Sequence, residues 1–341
     1  MQQLTLVATR KFEWWDVPTP SLDGRIDALV RPIAVATCDL DREMIWGHTP
    51  HVKPIAWGHE FIGEIVATGD AVNHFQAGDV VAVSFQICCG ECDACRRGHT
   101  ASCRAVPPAA AFGFGAVRGN FGGAMSDLVR VPFADAMCVR IPPGVDVVAI
   151  ASASDNIADA HRNVAEPLMA RPGAPVLVVG GICDSIGLYT VEMALALGSE
   201  EVTYADNDQE RLALAASAGA KVVDLSGGYP KSIAGEFPIT VACAGTAEGV
   251  ACTIRSTASN GVCTNTVIFW DEMMPLPMRD MYLSPITFRS GRINSRFHLD
   301  KVIALAAENR IHPERFTRHV VPWNQAAEAL AHHATKTVFV R

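Results

Sequence analysis

The sequence predicts a chain of mixed class: an all-β, barrel-like half followed by an α/β half built on a doubly wound parallel sheet. Three observations carry this. Up to about residue 145, short runs rich in branched and aromatic residues alternate with Gly, Pro and Asp, the pattern of strands and turns. Beyond that point, apolar runs of strand length alternate with helical patterns, which implies parallel strands joined by helices. A length of 341 residues, 49% hydrophobic and 19% charged, is enough for about two domains with ample cores.

In the first half, "LTLVAT", "DALVRPIAVAT", "FIGEIVATG", "DVVAVSF" and "SDLVRVPF" read as strands. In the second, "PVLVVGG" reads as a buried parallel strand, followed by the helix "SIGLYTVEMALALG" ended by Gly198. The strand "EVTYAD", the helix "DQERLALAASAG" closed by Gly219, and the strands "KVVDL", "ITVACAG" and "GVCTNTV" continue the alternation. The tail adds helices in "LDKVIALAAEN" and "WNQAAEALAHH" and a last strand, "TVFVR".

Five of the 11 cysteines fall between Gln86 and Cys103. Cys89, Cys92, Cys95 and Cys103 follow a C-x2-C-x2-C-x7-C spacing, with Cys88 left over. The N-terminus has neither the apolar stretch nor the cleavage site of a signal peptide, and no run reaches the length of a membrane span. The chain is therefore expected in the cytosol, where thiols stay reduced. A ferredoxin-type iron–sulfur cluster would want a closer fourth cysteine followed by proline, and Arg104 follows here. A four-thiolate tetrahedral zinc fits the spacing. Cys138, Cys183, Cys243, Cys252 and Cys263 lie mostly in apolar runs and read as core thiols. The net charge of −8, with no basic stripe beyond the short "CRRG", argues against nucleic acid as a partner.

"VLVVGGICDSIGLY" stands where a dinucleotide-binding fold places its phosphate loop. Gly180 and Gly181 would let the backbone approach a pyrophosphate, Gly187 would let the helix pack on the sheet, and the helix start at Ser185, Ile186 and Gly187 would face the phosphates. The loop departs from G-x-G-x-x-G, with Ile182 and Asp184 at the glycine positions. Asp206 closes the next strand, where an acidic residue binds ribose hydroxyls and, by repelling a 2′-phosphate, favours NAD over NADP. The same aspartate also suits a turn or helix cap.

A closed four-cysteine zinc does no chemistry, so an open site is sought elsewhere. Cys38 follows one strand, His59 and Glu60 open another, and Asp155 falls near the change of texture. Cysteine, histidine and carboxylate with an open fourth position make a catalytic zinc set. Each alone has an ordinary reading as packing or a satisfied polar residue.

Taken together, "GHE" at 58–60, "FIGEIVATGDAV", "FQAGDVVAV", the cysteine lobe, "GGAMSDLVRVP", the loop around "SIGLY" and "HVVPWNQAAEAL" resemble the zinc-dependent medium-chain alcohol dehydrogenases along nearly the whole chain. The resemblance implies a GroES-like β domain, residues 1–150 completed by 291–341, with a Rossmann NAD-binding domain, 151–290, inserted. It implies a catalytic zinc on Cys38, His59 and Asp155, with Glu60 able to exchange onto the metal, and a structural zinc on Cys89, Cys92, Cys95 and Cys103: two zinc ions per subunit. It further implies a homodimer or homotetramer acting on a small alcohol or aldehyde. Zinc would act as a Lewis acid on the substrate oxygen, and hydride would pass between substrate and NAD in the cleft between domains.

The family's proton relay runs through a hydroxyl and a histidine after the cysteine ligand. Here Leu40 and Glu43 stand at those positions, and Asp39, Glu43, His48 and His51 are the remaining candidates, acting through water. The broken relay and the unusual loop keep two alternatives open: a dismutase or carbonyl reductase with tightly held nicotinamide, and a catalytically silent nucleotide-binding scaffold. Leu40, Trp46, Trp57, Phe112 and Phe121 are expected to line the substrate pocket, and Lys336 to approach Asp41 or the cofactor phosphates. Trp14 and Trp15 are expected in sheet or interface packing, and "HPERFTRH" and His332–His333 on the solvated surface.

Overall fold

The computed structural model describes residues 1–332 and 336–341, so His333 lies outside the described residues. The chain divides into two compact units. One comprises Met1–Ala158, Ile293–Asn309 and Thr317–Arg341; the other comprises Asp159–Arg292 and Arg310–Phe316.

The first unit is built on two sheets. β1 (Gln2–Ala8) lies between β2 (Lys11–Asp16) and the short β4 (Ile55–Ala56). The larger sheet centres on β3 (Ala28–Ala36), which pairs antiparallel with β5 (Glu60–Thr68), β7 (Val129–Val131) and β16 (Thr337–Val340). It extends through β5 to β6 (Val80–Val83) and β8 (Cys138–Arg140), and through β16 to the parallel β15 (His319–Pro322). Burial alternates at the start of β3, with Ala28 and Val30 inside and Arg31 facing out to Glu64 at 2.7 Å. The alternation stops at Ala34, Val35 and Ala36, which are all buried. That closed end leads directly to Cys38 and α1 (Asp39–Trp46).

The second unit has six parallel strands in the order β11 (Lys221–Asp224), β10 (Val202–Asp206), β9 (Val176–Val179), β12 (Phe237–Ala242), β13 (Thr257–Asn265), β14 (Thr287–Ser290). Counted from β9 this is 3-2-1-4-5-6, the Rossmann order, whose direction reverses between β9 and β12. All four residues of β9 are buried, as an apolar run covered on both faces requires. α5 (Asp184–Ala196) is buried from Ser185 through Ala194, so its sequence is apolar all round rather than striped. α6 (Gln209–Ser217) and α7 (Ala247–Ser256) supply further crossovers. One helix, Asn156–Ala170, spans the division between the units and carries Pro167 inside it, which hides it from a periodicity argument.

Candidate active site and cysteine lobe

Cys38 is the N-cap of α1: its Sγ accepts from the Leu40 N–H at 3.3 Å, and its own N–H donates to the Asp41 carboxylate at 2.9 Å. The helix N-terminus therefore points at the sulfur, a position that favours a thiolate. His59 follows Gly58, whose φ of +90° is a conformation side-chain-bearing residues rarely adopt and where an added Cβ would stand 3.1 Å from Met125. The Nδ1 of His59 lies 3.9 Å from Asp41 and its Nε2 3.3 Å from Asp155. Asp41 thus sits behind His59 on one side while Asp155 meets it on the other.

The ligand atoms of Cys38, His59, Glu60 and Asp155 all lie within 4.8 Å of one another. Three acids so close together, two of them fully buried and Asp155 mostly so, repel one another when charged, and one imidazole offsets only part of this. Burial, then Asp41, Asp155 and Glu60, push the Cys38 thiol well up. Burial raises Asp41 to about 6 and Glu60 to about 7, with Lys336 and His59 pulling Glu60 back. A divalent cation removes this conflict, and a soft thiolate with imidazole and carboxylate is zinc's donor set. The residues fit that metal.

Glu60 is held from behind. Lys336 donates to it at 3.0 Å, Ser152 through its hydroxyl, and the Asn156 N–H at 3.3 Å; Lys336 also reaches Ser152 at 2.6 Å and the Thr37 carbonyl. Lys336 is thus held by the buried oxygens of Glu60 and Thr37, and its charge also acts on Asp41, as expected of its approach. This network runs between β5, β16 and residue 152, and nothing local in the sequence announces it.

The rings around His59 also differ from the expected lining. Phe114 and Phe85 flank it, with centroids at 4.8 and 5.5 Å. Trp57 and Phe112 are core residues instead, packed edge-on to Phe12 and Phe61. Trp46 is half exposed under Arg10. Glu43 and His48 pair with each other at 3.0 Å.

Cys89, Cys92, Cys95 and Cys103 form a second cluster, their sulfurs within 4.8 Å of one another around the short helix Asp93–Arg96. Backbone N–H groups of Cys92, Cys89 and Arg104 donate to the sulfurs of Cys89, Cys103 and Cys92 at 3.3–3.4 Å. The Arg104 and Cys95 backbone groups hold the Cys92 thiol down to about 6. None of the cysteines is in a disulfide, and Cys88, Cys138, Cys183, Cys243, Cys252 and Cys263 are all buried. Four converging cysteine sulfurs, three of them already served by these backbone donors, fit a closed tetrahedral zinc.

In the second unit, Gly180 and Gly181 follow β9 at the reversal of strand order, and α5 begins three residues later. Ser185, Ile186 and Gly187 lie buried in the first turn of α5, and Asp184 turns back onto the Ser185 N–H at 2.9 Å. This placement suits a dinucleotide pyrophosphate. Asp206 is more constrained than expected. One oxygen accepts from Arg211 Nε at 2.8 Å and the Tyr204 hydroxyl at 2.7 Å; the other accepts from Arg211 at 2.6 Å and the Asp208 N–H at 3.1 Å. The four acceptor positions of a carboxylate are thereby filled, so a ribose hydroxyl would have to displace one donor. A side chain at Gly180 would collide with this same carboxylate, at 2.1 Å.

Residues 24–143 match the family model "Alcohol dehydrogenase GroES-like domain". The chain is 31% identical over 231 residues to a glutathione-independent formaldehyde dehydrogenase of Pseudomonas aeruginosa, covering 64% of this chain and 57% of that protein. The match thus spans little more than half the relative's length. It is 32% identical to the medium chain reductase/dehydrogenase ucsI of Acremonium sp, covering 65% of this chain and 75% of that one. Alcohol dehydrogenase TADH from Thermus sp. ATN1 superposes with a TM-score of 0.89 at 27% identity, covering 100% of this chain and 99% of the other. The strand order, the two ligand clusters and these likenesses agree: the chain belongs to the zinc-dependent alcohol dehydrogenase family of the medium-chain dehydrogenase/reductase superfamily.

Proposed function

We propose that this chain is a zinc-dependent oxidoreductase transferring hydride between a small alcohol or aldehyde and NAD. The observation that carries the reading is the convergence of Cys38, His59, Glu60 and Asp155 within 4.8 Å. Zinc on Cys38, His59 and Asp155 would polarise the substrate oxygen, while a nicotinamide would exchange the hydride. The chain's own residues do the rest. Asp41 sets the orientation of His59, and the N-terminus of α1 steadies the Cys38 sulfur. Lys336 and Ser152 hold Glu60 in reserve beside the metal ligands. Phe85 and Phe114 shut water away from one flank of His59. Leu40 has no proton to give or take, so the substrate's proton leaves through water. Cys89, Cys92, Cys95 and Cys103 would hold the structural zinc, and Gly180, Gly181, Ser185, Ile186, Gly187 and Asp206 the cofactor.

The working form is a cytosolic homo-oligomer. No helix among the described residues is long and apolar enough to cross a membrane. β14 is an edge strand, preceded by the exposed apolar residues Met278, Tyr282 and Leu283.

Zinc per subunit, measured on wild type, Cys38→Ser and Cys89→Ser alongside NADH-linked aldehyde reduction, tests the reading. The expected result is two zincs in wild type, with one zinc and the activity lost in Cys38→Ser at nearly unchanged Tm. Zinc content and activity both unaffected by Cys38→Ser would overturn it.

A further inference from the structure

Arg118 is a half-buried arginine without a counter-ion. Among the described residues no carboxylate pairs with it. Arg130, Arg140 and Arg341 of the same unit each have one, in Asp23, Asp79 and Asp127. A guanidinium partly removed from water and left unmatched is costly, and an anionic ligand offsets that cost. Burial alone acts on Arg118, pulling its pKa down with no acid to oppose it.

Its position ties it to the reactive site. The segment carrying it starts at Gly113, which lies so close to Gly58 that a side chain there would stand 2.7 Å from the Gly58 carbonyl. Phe114, next in sequence, has its ring against His59 on one side and against His51 on the other, at 5.5 Å. The His51 ring is therefore at most about 10 Å from that of His59. Burial, then the charges of Arg118 and His59, hold His51 below its usual pKa, which places Arg118 in the same electrostatic neighbourhood. Its main chain is anchored, with the carbonyl accepting from Ala111 at 3.2 Å and the N–H donating to Gly115 at 3.1 Å.

We propose that Arg118 recognises a carboxylate on the alcohol or aldehyde substrate, set apart from the reacting carbon by an apolar spacer that runs along Phe114. This rests on the oxidoreductase reading above and adds the substrate class. One guanidinium beside an uncharged imidazole supplies a single positive charge, which balances a carboxylate and leaves a phosphate dianion half unmet. The planar fork of Arg118 matches both carboxylate oxygens.

The test uses the zinc-loaded full chain with 4-carboxybenzaldehyde, its neutral methyl ester and 4-formylphenyl phosphate. In wild type kcat/KM should favour the carboxylate over the ester. Arg118→Gln should cut that preference by about tenfold or more, and Arg118→Lys, keeping charge without the fork, should restore part of it. Zinc content and Tm, measured on each variant, show that the site remains assembled. An identical preference in wild type and Arg118→Gln would overturn the proposal, as would preference for the phosphate ester. If no aldehyde is reduced, the oxidoreductase reading fails by itself. Calorimetric titration with unreactive 4-carboxybenzamide then still decides on Arg118: weaker binding to Arg118→Gln supports it, and equal binding overturns it.

Discussion

A lysine ammonium inside a protein survives only where oxygens replace its water, and around Lys336 stand those of Glu60, Ser152 and the Thr37 carbonyl. Replacing it with methionine keeps the stem and removes the charge, leaving Glu60 buried without its cation. Breaking such a pair costs about 3–5 kcal/mol, so Lys336→Met should lower Tm by many degrees, and Lys336→Met with Glu60→Gln should recover much of the loss. Thermal denaturation of both variants checks this; equal Tm values in wild type and Lys336→Met would show that the pair contributes nothing. The two partners are 276 residues apart in sequence, which is why their pairing could not be read in advance. The cysteine lobe is the opposite case. Its four sulfurs come from one short segment, and spacing alone implied the cluster that the fold contains. Cys38, His59, Glu60 and Asp155 fall between these extremes. Each is ordinary by itself, and the family resemblance grouped them before the geometry did. Trp57 and Phe112 show a limit of such reasoning, since neighbourhood to a motif does not say which way a ring faces.

At the scale of elements, the parallel sheet was legible because its strands are continuous apolar runs and its helices end at glycines. Short pieces such as β4, and the helix interrupted by Pro167, carry too few residues or too broken a pattern to be seen. α5 holds a feature that its all-round burial hides: Glu192, on this apolar helix, is 7% exposed. It accepts from the His312 N–H at 2.8 Å and lies 4.0 Å from Arg315. Burial raises its pKa from 4.5 to about 7, against the backbone of His312 and the charge of Arg315, with Glu314 adding to the rise. A carboxyl that holds its proton more tightly when folded contributes stability that is complete below pH 4.5 and is lost as pH rises through 7. Wild type should therefore lose on the order of 2 kcal/mol between pH 5 and 8 from this group. Glu192→Gln, which stays neutral and can still accept from His312, should flatten that slope and raise Tm at pH 8. Denaturation series at the two pH values decide it, and parallel slopes in wild type and variant would show that Glu192 is not the group responsible.

For the whole molecule, the relevant fact is where apolar surface remains uncovered. Met273, Met278, Tyr282 and Leu283 are each more than half exposed, and they cluster in sequence just before β14, the end strand of the parallel sheet. An edge strand offers a row of unpaired backbone groups, and a protein that leaves one beside bulky apolar side chains invites pairing with another chain. A twofold partner satisfies both needs with a single surface, because the same strand and the same side chains meet their own copies. Elsewhere among the described residues Val52, Val117 and Met169 are scattered singly, and the edge strands β15 and β11 each carry one exposed valine, Val320 and Val222, rather than a run of bulky side chains. The proposed homo-oligomer should therefore depend on this segment. Tyr282→Glu with Leu283→Glu places two negative charges where two apolar faces would meet, and light scattering after size exclusion should find half the wild-type mass or less. Zinc per subunit should stay at the wild-type value, since none of the metal-ligand residues belongs to this unit. A wild type that is already monomeric, or a double variant of unchanged mass, would move the interface elsewhere and leave the apolar segment to another partner.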